Sequence, residues 1–442
     1  MTRPTADPSG PFAEFFRGSA PYIRAHRGRT FVICFGGEAV RSPGFTELIH
    51  DIALLYDLGV RLVLVHGARP QVERRLEERK RSTRYVADRR VTDPVALTCV
   101  KEAVGSVRVE IEALLSMGTP NSPMAGARIR VATGNFVVAQ PMGVVDGVDF
   151  MFTGEVRRVD AEGIRRCLDA GAVVLLSPLG YSVTGEVFNV SSHDVAAEAA
   201  AALGADKLVA LVEGPGLVDS RKRPVRELTP PQAEALVLKK RLQADLRREV
   251  DAAVRACRAG VRRAHLVSRR VDAGLLLELF TRDGIGTLIT AEEFEGVRQA
   301  ELSDVGGILA LIGPLEERGV LVRRPRELLE TDIHRFTIVE RDGLVIACAA
   351  LYPLGPGVLG ELACVAVHPG YRDSGRGDVL LQFVERRARE AAMTGLFVLT
   401  TRASHWFRER GFEPGRLRDV PAVRRATINR SRGSTVLVKR FG

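Results

Sequence analysis

The chain has 442 residues, 45% of them hydrophobic and 27% charged, a composition that fits two or three globular domains better than one core. No stretch approaches the roughly 20 apolar residues of a membrane helix, and the polar, Pro-containing start Met1–Gly10 lacks the apolar run of a signal peptide. A cytoplasmic protein without a membrane partner is expected. The net charge is +10, but only seven of the 64 basic residues are lysine, and the arginines are scattered without an aromatic stripe; a solvated surface and no nucleic acid are expected.

The six cysteines (Cys34, Cys99, Cys167, Cys257, Cys348 and Cys364) show no Cys-x-x-Cys spacing, so reduced thiols and no metal are expected. In chain order, Phe12, Phe15, Phe16, Ser19 and Ile23 recur at helical spacing and predict one or two short amphipathic helices, interrupted near Pro21. Thr30 to Val40 reads as a buried strand running into Gly36-Gly37, followed by a helix from Phe45 to Leu58. A second strand, Arg61 to His66, ends in Gly67-Ala68-Arg69-Pro70 and leads into another helix. Val91 to Pro94 caps a helix reaching about Leu115, and Ile129 to Gln140 reads as a β-hairpin through Thr133-Gly134-Asn135. Strands follow at Ala172 to Ser177, Leu208 to Val212 and Arg262 to Val267, with helices between them. Such alternation predicts a parallel α/β sheet whose ligands sit at the carboxyl ends of the strands, where Gly36, Gly37 and Gly67 fall.

The pattern changes from Val297. A helix over Val305 to Glu317, the loop Leu321 to Arg326, a hairpin from Phe336 to Leu351 and a buried strand from Leu362 to Val367 are predicted. After the turn Pro369-Gly370 comes Arg372-Asp373-Ser374-Gly375-Arg376-Gly377, then an apolar helix from near Asp378. A small-residue loop at a helix N-terminus is an anion site, because its N–H groups point outward and the helix dipole favours negative charge. Gly375 and Gly377 would let the backbone approach a phosphate, and Arg372 and Arg376 would add charge-assisted bonds.

Residues 25–290 resemble the amino-acid kinase family, through Gly36-Gly37, His66-Gly67 and Leu279 to Thr287, and among its kinases N-acetylglutamate kinase. Where those kinases carry a lysine against the transferred phosphoryl group, two residues before the Gly-Gly, this chain has Cys34. Phosphoryl transfer depends on positioned cations, so a fold kept without its chemistry is expected. The strand, turn, Arg-x-x-Gly-x-Gly and helix resemble the acetyl-CoA pyrophosphate loop of the GCN5-related N-acetyltransferases. Together the two halves resemble the bacterial N-acetylglutamate synthases over essentially the whole chain, with Gly67 to Gln71, Ala347 to Pro353 and Trp406 to Phe412 among the matching stretches. The resemblance implies an N-terminal three-layer αβα domain and a C-terminal α+β domain. The expected divisions are an N-terminal tail and helical segment at 1–24, a kinase-like arginine-binding domain at 25–292, a linker at 293–297 and an acetyltransferase domain at 298–442. It also implies acetyl-CoA as co-substrate with no bound cofactor, L-glutamate as acceptor, L-arginine as effector and a homo-oligomer, a hexamer. The alternatives are an N-acetylglutamate kinase and a non-catalytic arginine sensor.

Acyl transfer to an α-amine requires removal of a proton from ammonium. Glu361, at the start of the acetyl-CoA strand, is the candidate base. Backbone N–H groups near Cys364 and Val365 are candidates for stabilising the oxyanion, and the edges of Val365 and Val367 for holding the pantetheine arm. The family's phenol near this site is replaced here by Phe407, which leaves Thr400 as a candidate proton donor to the thiolate. Bidentate arginines suit the two carboxylates of glutamate; the candidates are Arg324, Arg326, Arg430 and Arg432, with Cys364 and Phe407 lining the pocket. For arginine, the resemblance brings forward Tyr22, His265, Glu278, Gly284 and Gly286.

Overall fold

A computed structural model of the chain describes residues 9–86, 88–219, 221–239, 242–281, 283–291, 295–341, 343–355, 357–372 and 375–441. It forms two compact units, divided after residue 292. Among the described residues no helix is long and apolar enough to cross a membrane.

In the first unit the strand Thr30–Phe35 alternates its side chains between two cores. Val32 and Cys34 pack with helices Ser192–Leu203 and Ala244–Arg258, whereas Phe31, Ile33 and Phe35 pack with Phe45–Asp57 and Pro94–Leu115. The eight-stranded sheet runs Glu227–Leu228, Thr287–Thr290, Arg263–Ser268, Lys207–Val212, Thr30–Phe35, Arg61–His66, Ala172–Leu176, Arg130–Ala132. Its pairings are parallel except between Arg263–Ser268 and Thr287–Thr290. Helices cover both faces, so the central strands are mostly apolar, with buried polar residues such as His66, Lys207 and His265 as exceptions. This is the three-layer αβα arrangement.

Two expectations are corrected here. Ile129 to Gln140 is not a hairpin: Arg130–Ala132 joins the edge of the large sheet beside Ala172–Leu176, and Val137–Pro141 belongs to a separate four-stranded sheet with Gly154–Val159 and Leu179–Tyr181. The N-terminal helix runs unbroken from Ser9 to His26 with Pro21 inside it. Proline removes one backbone donor, but the C-terminal half of this helix, which holds Pro21, is docked on helix Gly274–Phe280. Ser19 Oγ donates to the Phe280 carbonyl at 3.4 Å, and His26 Nε2 lies 2.8 Å from the Leu279 carbonyl.

The second unit is a seven-stranded sheet in the order Glu295–Gln299, Phe336–Arg341, Leu344–Tyr352, Leu359–Val367, Gly395–Thr400, Thr435–Arg440, Glu413–Pro414. The stretch 293–297 read as a linker is therefore partly sheet, since Glu295, Gly296 and Val297 pair with Arg341, Glu340 and Val339. One face packs on helix Arg376–Glu390 and the other on helix Val305–Glu317.

Candidate active site and a second polar cluster

The strand Leu359–Val367 has two unlike edges. It pairs antiparallel with Leu344–Tyr352, but parallel with Gly395–Thr400 only from Leu359 to Glu361. Beyond Glu361 the two part, while Gly395–Thr400 stays paired with Thr435–Arg440. Where they part, the first ladder is also broken. Cys348 pairs with Ala366 and Ala350 with Ala363, so two residues, Cys364 and Val365, oppose one, and Cys364 takes a left-handed φ of +53°. Such a bulge re-aims the backbone and leaves the extra residue outside the ladder.

Glu361 stands at this fork and is 6% exposed. Both its oxygens are engaged by Arg424: Nε donates to Oε2 at 2.5 Å and Nη2 to Oε1 at 3.1 Å. Arg424 comes from the short helix Ala422–Arg425. Arg324 lies nearby, hydrogen-bonded to the Tyr352 phenol, and donates through Nη1 to the Val322 carbonyl at 2.9 Å. The Cys364 thiol sits below the ordinary thiol value because Cys348 hydrogen-bonds to it and Arg324 adds positive charge. Glu361, Arg424, Arg324, Tyr352 and Cys364 thus form one cluster.

The other sequence candidates divide. Thr400 Oγ accepts the Ala403 N–H at 2.9 Å, fixing the entry to helix Ser404–Arg408. That leaves its O–H as a donor. Phe407 does not share a pocket with Cys364. It is buried against Trp406 and Phe412 in the core on the Arg376–Glu390 side, whereas Cys364 points into the core on the opposite face of the sheet. Val365 and Val367 face the Phe407 side. Arg326 is spent on an exposed pair with Glu330 at 2.7 Å. Arg432 donates to the carbonyls of Gly319 and Val320, both at 3.1 Å. The side chain of Arg430 lies outside the described residues.

Ser374 also lies outside the described residues. Gly375 immediately precedes helix Arg376–Glu390 with φ +80° and open space where a Cβ would be, which suits close approach of a ligand. Gly377 has a different reason to be glycine: its Cβ would lie 2.7 Å from the Trp406 ring, so packing rather than phosphate demands it. Arg376 stacks over Tyr371 at 4.8 Å, and Arg372 Nε lies 3.4 Å from the Val367 carbonyl.

A second polar cluster lies in the first unit. His265 Nδ1 is 2.7 Å from Glu278 Oε1, and Glu278 Oε2 accepts the Ile285 and Gly286 N–H groups, each at 2.7 Å. Lys207 Nζ lies 3.4 Å from His265 Nε2. Burial, then the charge of Lys207, outweigh Glu278 and push His265 down to about 4. Burial alone would raise the Glu278 carboxyl, but His265 and the two amides hold it at about 2. At neutral pH His265 is therefore a neutral imidazole and Glu278 a carboxylate, which can only accept, so the imidazole proton sits on Nδ1. Gly284 has φ +55°, and a Cβ there would fall 2.5 Å from Glu278 Oε2. Tyr22 sits one helical turn from His26, the ring centroids 6.4 Å apart.

At the carboxyl ends of Thr30–Phe35 and Arg61–His66 is a cavity of about 160 Å³ lined by Gly36, Gly37, Gly67, Arg69, His193 and Glu249. Cys34 is buried beside it. Burial and the nearby Glu249 push its thiol far above its usual value, so no charge stands there.

Residues 29–268 match the amino acid kinase family, and residues 332–414 match the acetyltransferase (GNAT) domain. An amino-acid acetyltransferase of Azotobacter vinelandii is 56% identical over 97% of this chain and 99% of its own length. One of Pseudomonas aeruginosa is 54% identical over the same shares. The chain belongs to the amino-acid acetyltransferase family. A crystal structure of N-acetylglutamate synthase from Neisseria gonorrhoeae, complexed with coenzyme A and L-arginine, is 38% identical, covers 97% of this chain and 99% of that one, and superposes with a TM-score of 0.87.

In this amino-acid acetyltransferase three functional candidates escape sequence reasoning. Arg424 sits among many arginines in a polar C-terminal stretch, and nothing local distinguishes it. Lys207 and His26 reach the His265 cluster from elements distant in sequence. One signal for Lys207 was available: it is among only seven lysines and opens a buried strand.

Proposed function

We propose that this acyltransferase moves the acetyl group of acetyl-CoA to the α-amine of L-glutamate, giving N-acetyl-L-glutamate for arginine biosynthesis, with L-arginine acting through the kinase-like unit. The observation that carries this reading is the fork at Glu361. A buried carboxylate stands where two strands part, three residues from a bulge that frees backbone N–H groups and beside two guanidinium groups. The Neisseria gonorrhoeae synthase, whose complexes contain coenzyme A with L-arginine or with N-acetyl-glutamate, supports both ligand assignments.

In this reading Glu361 takes one proton from the substrate ammonium, directly or through water. The amine nitrogen attacks the thioester carbonyl, and the oxyanion is met by N–H groups at the Cys364–Val365 bulge. As the C–S bond breaks, its electron pair leaves with sulfur. The second nitrogen proton is lost as Thr400 protonates the thiolate, so one proton is released overall. Arg324 receives a substrate carboxylate. The loop from Arg372 through Ser374 and Gly375 to Arg376 receives the pyrophosphate of acetyl-CoA. Arginine is held by Tyr22, His265, Glu278, Gly284 and Gly286, and its binding energy couples to the site in the second unit. A cytoplasmic hexamer belongs to the same reading. The uncharged Cys34 opposes phosphoryl transfer.

The test is release of CoA thiol from acetyl-CoA, with and without glutamate, then with arginine added. Glutamate-dependent release that arginine alters is the expected result. Release without any need for glutamate would overturn the acceptor, and indifference to arginine would overturn the role given to the first unit.

A further inference from the structure

The Glu361–Arg424 pair carries an inference that rests on the glutamate reading. The carboxylate cast as the base has both oxygens occupied, and its partner is the more open of the two: the Glu361 side chain is 9% exposed and that of Arg424 29%. The third guanidinium nitrogen of Arg424 donates to Thr427 Oγ at 2.9 Å. Arg324 is close enough for the two guanidinium groups to repel each other. Among the described residues no ion pair joins Arg324 to a carboxylate; the nearby Glu316 accepts its backbone N–H at 3.0 Å. Two arginines therefore share a cluster in which one carboxylate is paired and one guanidinium is left for an incoming anion.

We propose that Arg424 is an exchangeable counter-ion. Without acceptor it neutralises Glu361. When a dicarboxylic amino acid enters, one substrate carboxylate meets Arg324 and the other draws the Arg424 fork away from Glu361. The freed carboxylate then takes the proton from the substrate α-ammonium. A monocarboxylic amino acid satisfies only one guanidinium and leaves Glu361 blocked. Selection of a dicarboxylic acceptor and release of the base are one event.

The test uses the full-length chain with L-glutamate and L-glutamine as acceptors. Arg424→Ala is expected to raise KM for glutamate at least about 100-fold and to erase most of the preference for glutamate over glutamine. KM for acetyl-CoA stays within about threefold, because that substrate does not depend on the fork. Added guanidinium ion restores part of the turnover. Arg424→Lys keeps the charge without the fork, so it falls between the two and supplies the same readouts if the alanine variant fails to fold. An unchanged glutamate KM and unchanged acceptor preference, with only kcat reduced, would make the pair a structural pin and end the proposal. No glutamate-dependent release by the unsubstituted chain would instead bring down the acceptor reading and this inference with it.

Discussion

Glu361 and Glu249 are both buried carboxyls, and their surroundings assign them different fates. Glu361 is met by a guanidinium fork where two strands part. Glu361→Gln keeps the side-chain shape and removes the base, so turnover is expected to fall at least about 100-fold. Acetyl-CoA affinity, read by titration calorimetry, stays nearly unchanged; full turnover would remove Glu361 as the base. Glu249 meets no such partner. Burial, then Asp245, Glu213 and Glu38, push it up to about 8 from 4.5. Its folded value exceeds its unfolded one, so the stability it contributes is intact below about pH 4.5 and drains away as pH rises to about 8. Glu249→Gln is therefore expected to stabilise the chain by about 2–3 kcal/mol at pH 7 and by little at pH 4.5. Melting temperatures across that range check it, and a difference independent of pH would rule it out. Neither environment was fully legible in the sequence, because Arg424 is 63 residues from Glu361 and two of the acids around Glu249, Glu213 and Glu38, come from other elements, only Asp245 sharing its helix.

Elements were more legible than their neighbours. The buried strands of both sheets announce themselves because a strand covered on two faces reads as a mostly apolar run. Periodicity says nothing about which sheet a strand joins, so Arg130–Ala132 and Val137–Pro141 looked like one hairpin. Cys364 and Phe407 are separated for a similar reason: the resemblance implies one pocket for both, yet the sheet lies between them. The glycines after helix Gly274–Phe280 show where local demand is strict. A Cβ on Gly286 would lie 2.3 Å from the Leu266 carbonyl oxygen, whereas Gly105, inside helix Pro94–Leu115, has nothing within 4 Å. Gly286→Ala is expected to cost about 1–3 kcal/mol and to abolish the proposed arginine response, since its N–H holds Glu278. Gly105→Ala is expected to gain about 1 kcal/mol. Equal melting temperatures for the two variants would count against this account.

For the molecule as a whole, the two-part organisation was readable from the change of pattern near Val297, but the acid response of the first unit was not. His265 and His26 are held at about 4 against 6.5, so both fold as neutral rings. Their contribution is complete above about pH 6.5 and lost as pH falls to about 4. Glu278, depressed from 4.5 to about 2, extends the loss below that. Thermal unfolding followed by circular dichroism is expected to show a transition that falls steeply below pH 6.5, and His265→Gln is expected to flatten the fall. A transition indifferent to pH between 6.5 and 4 would contradict the neutral-imidazole network. The parting of strands Leu359–Val367 and Gly395–Thr400 has a consequence for measurement. It leaves an unpaired sheet edge in the middle of a sheet, and peptide hydrogens along such an edge lack the ladder that slows their replacement. In deuterated water the amides of 362–367 that face the gap are expected to take up label faster than those bonded to Leu344–Tyr352, until a bound thioester closes the gap. The mass of that stretch then becomes a clock for occupancy of the fork that needs no turnover.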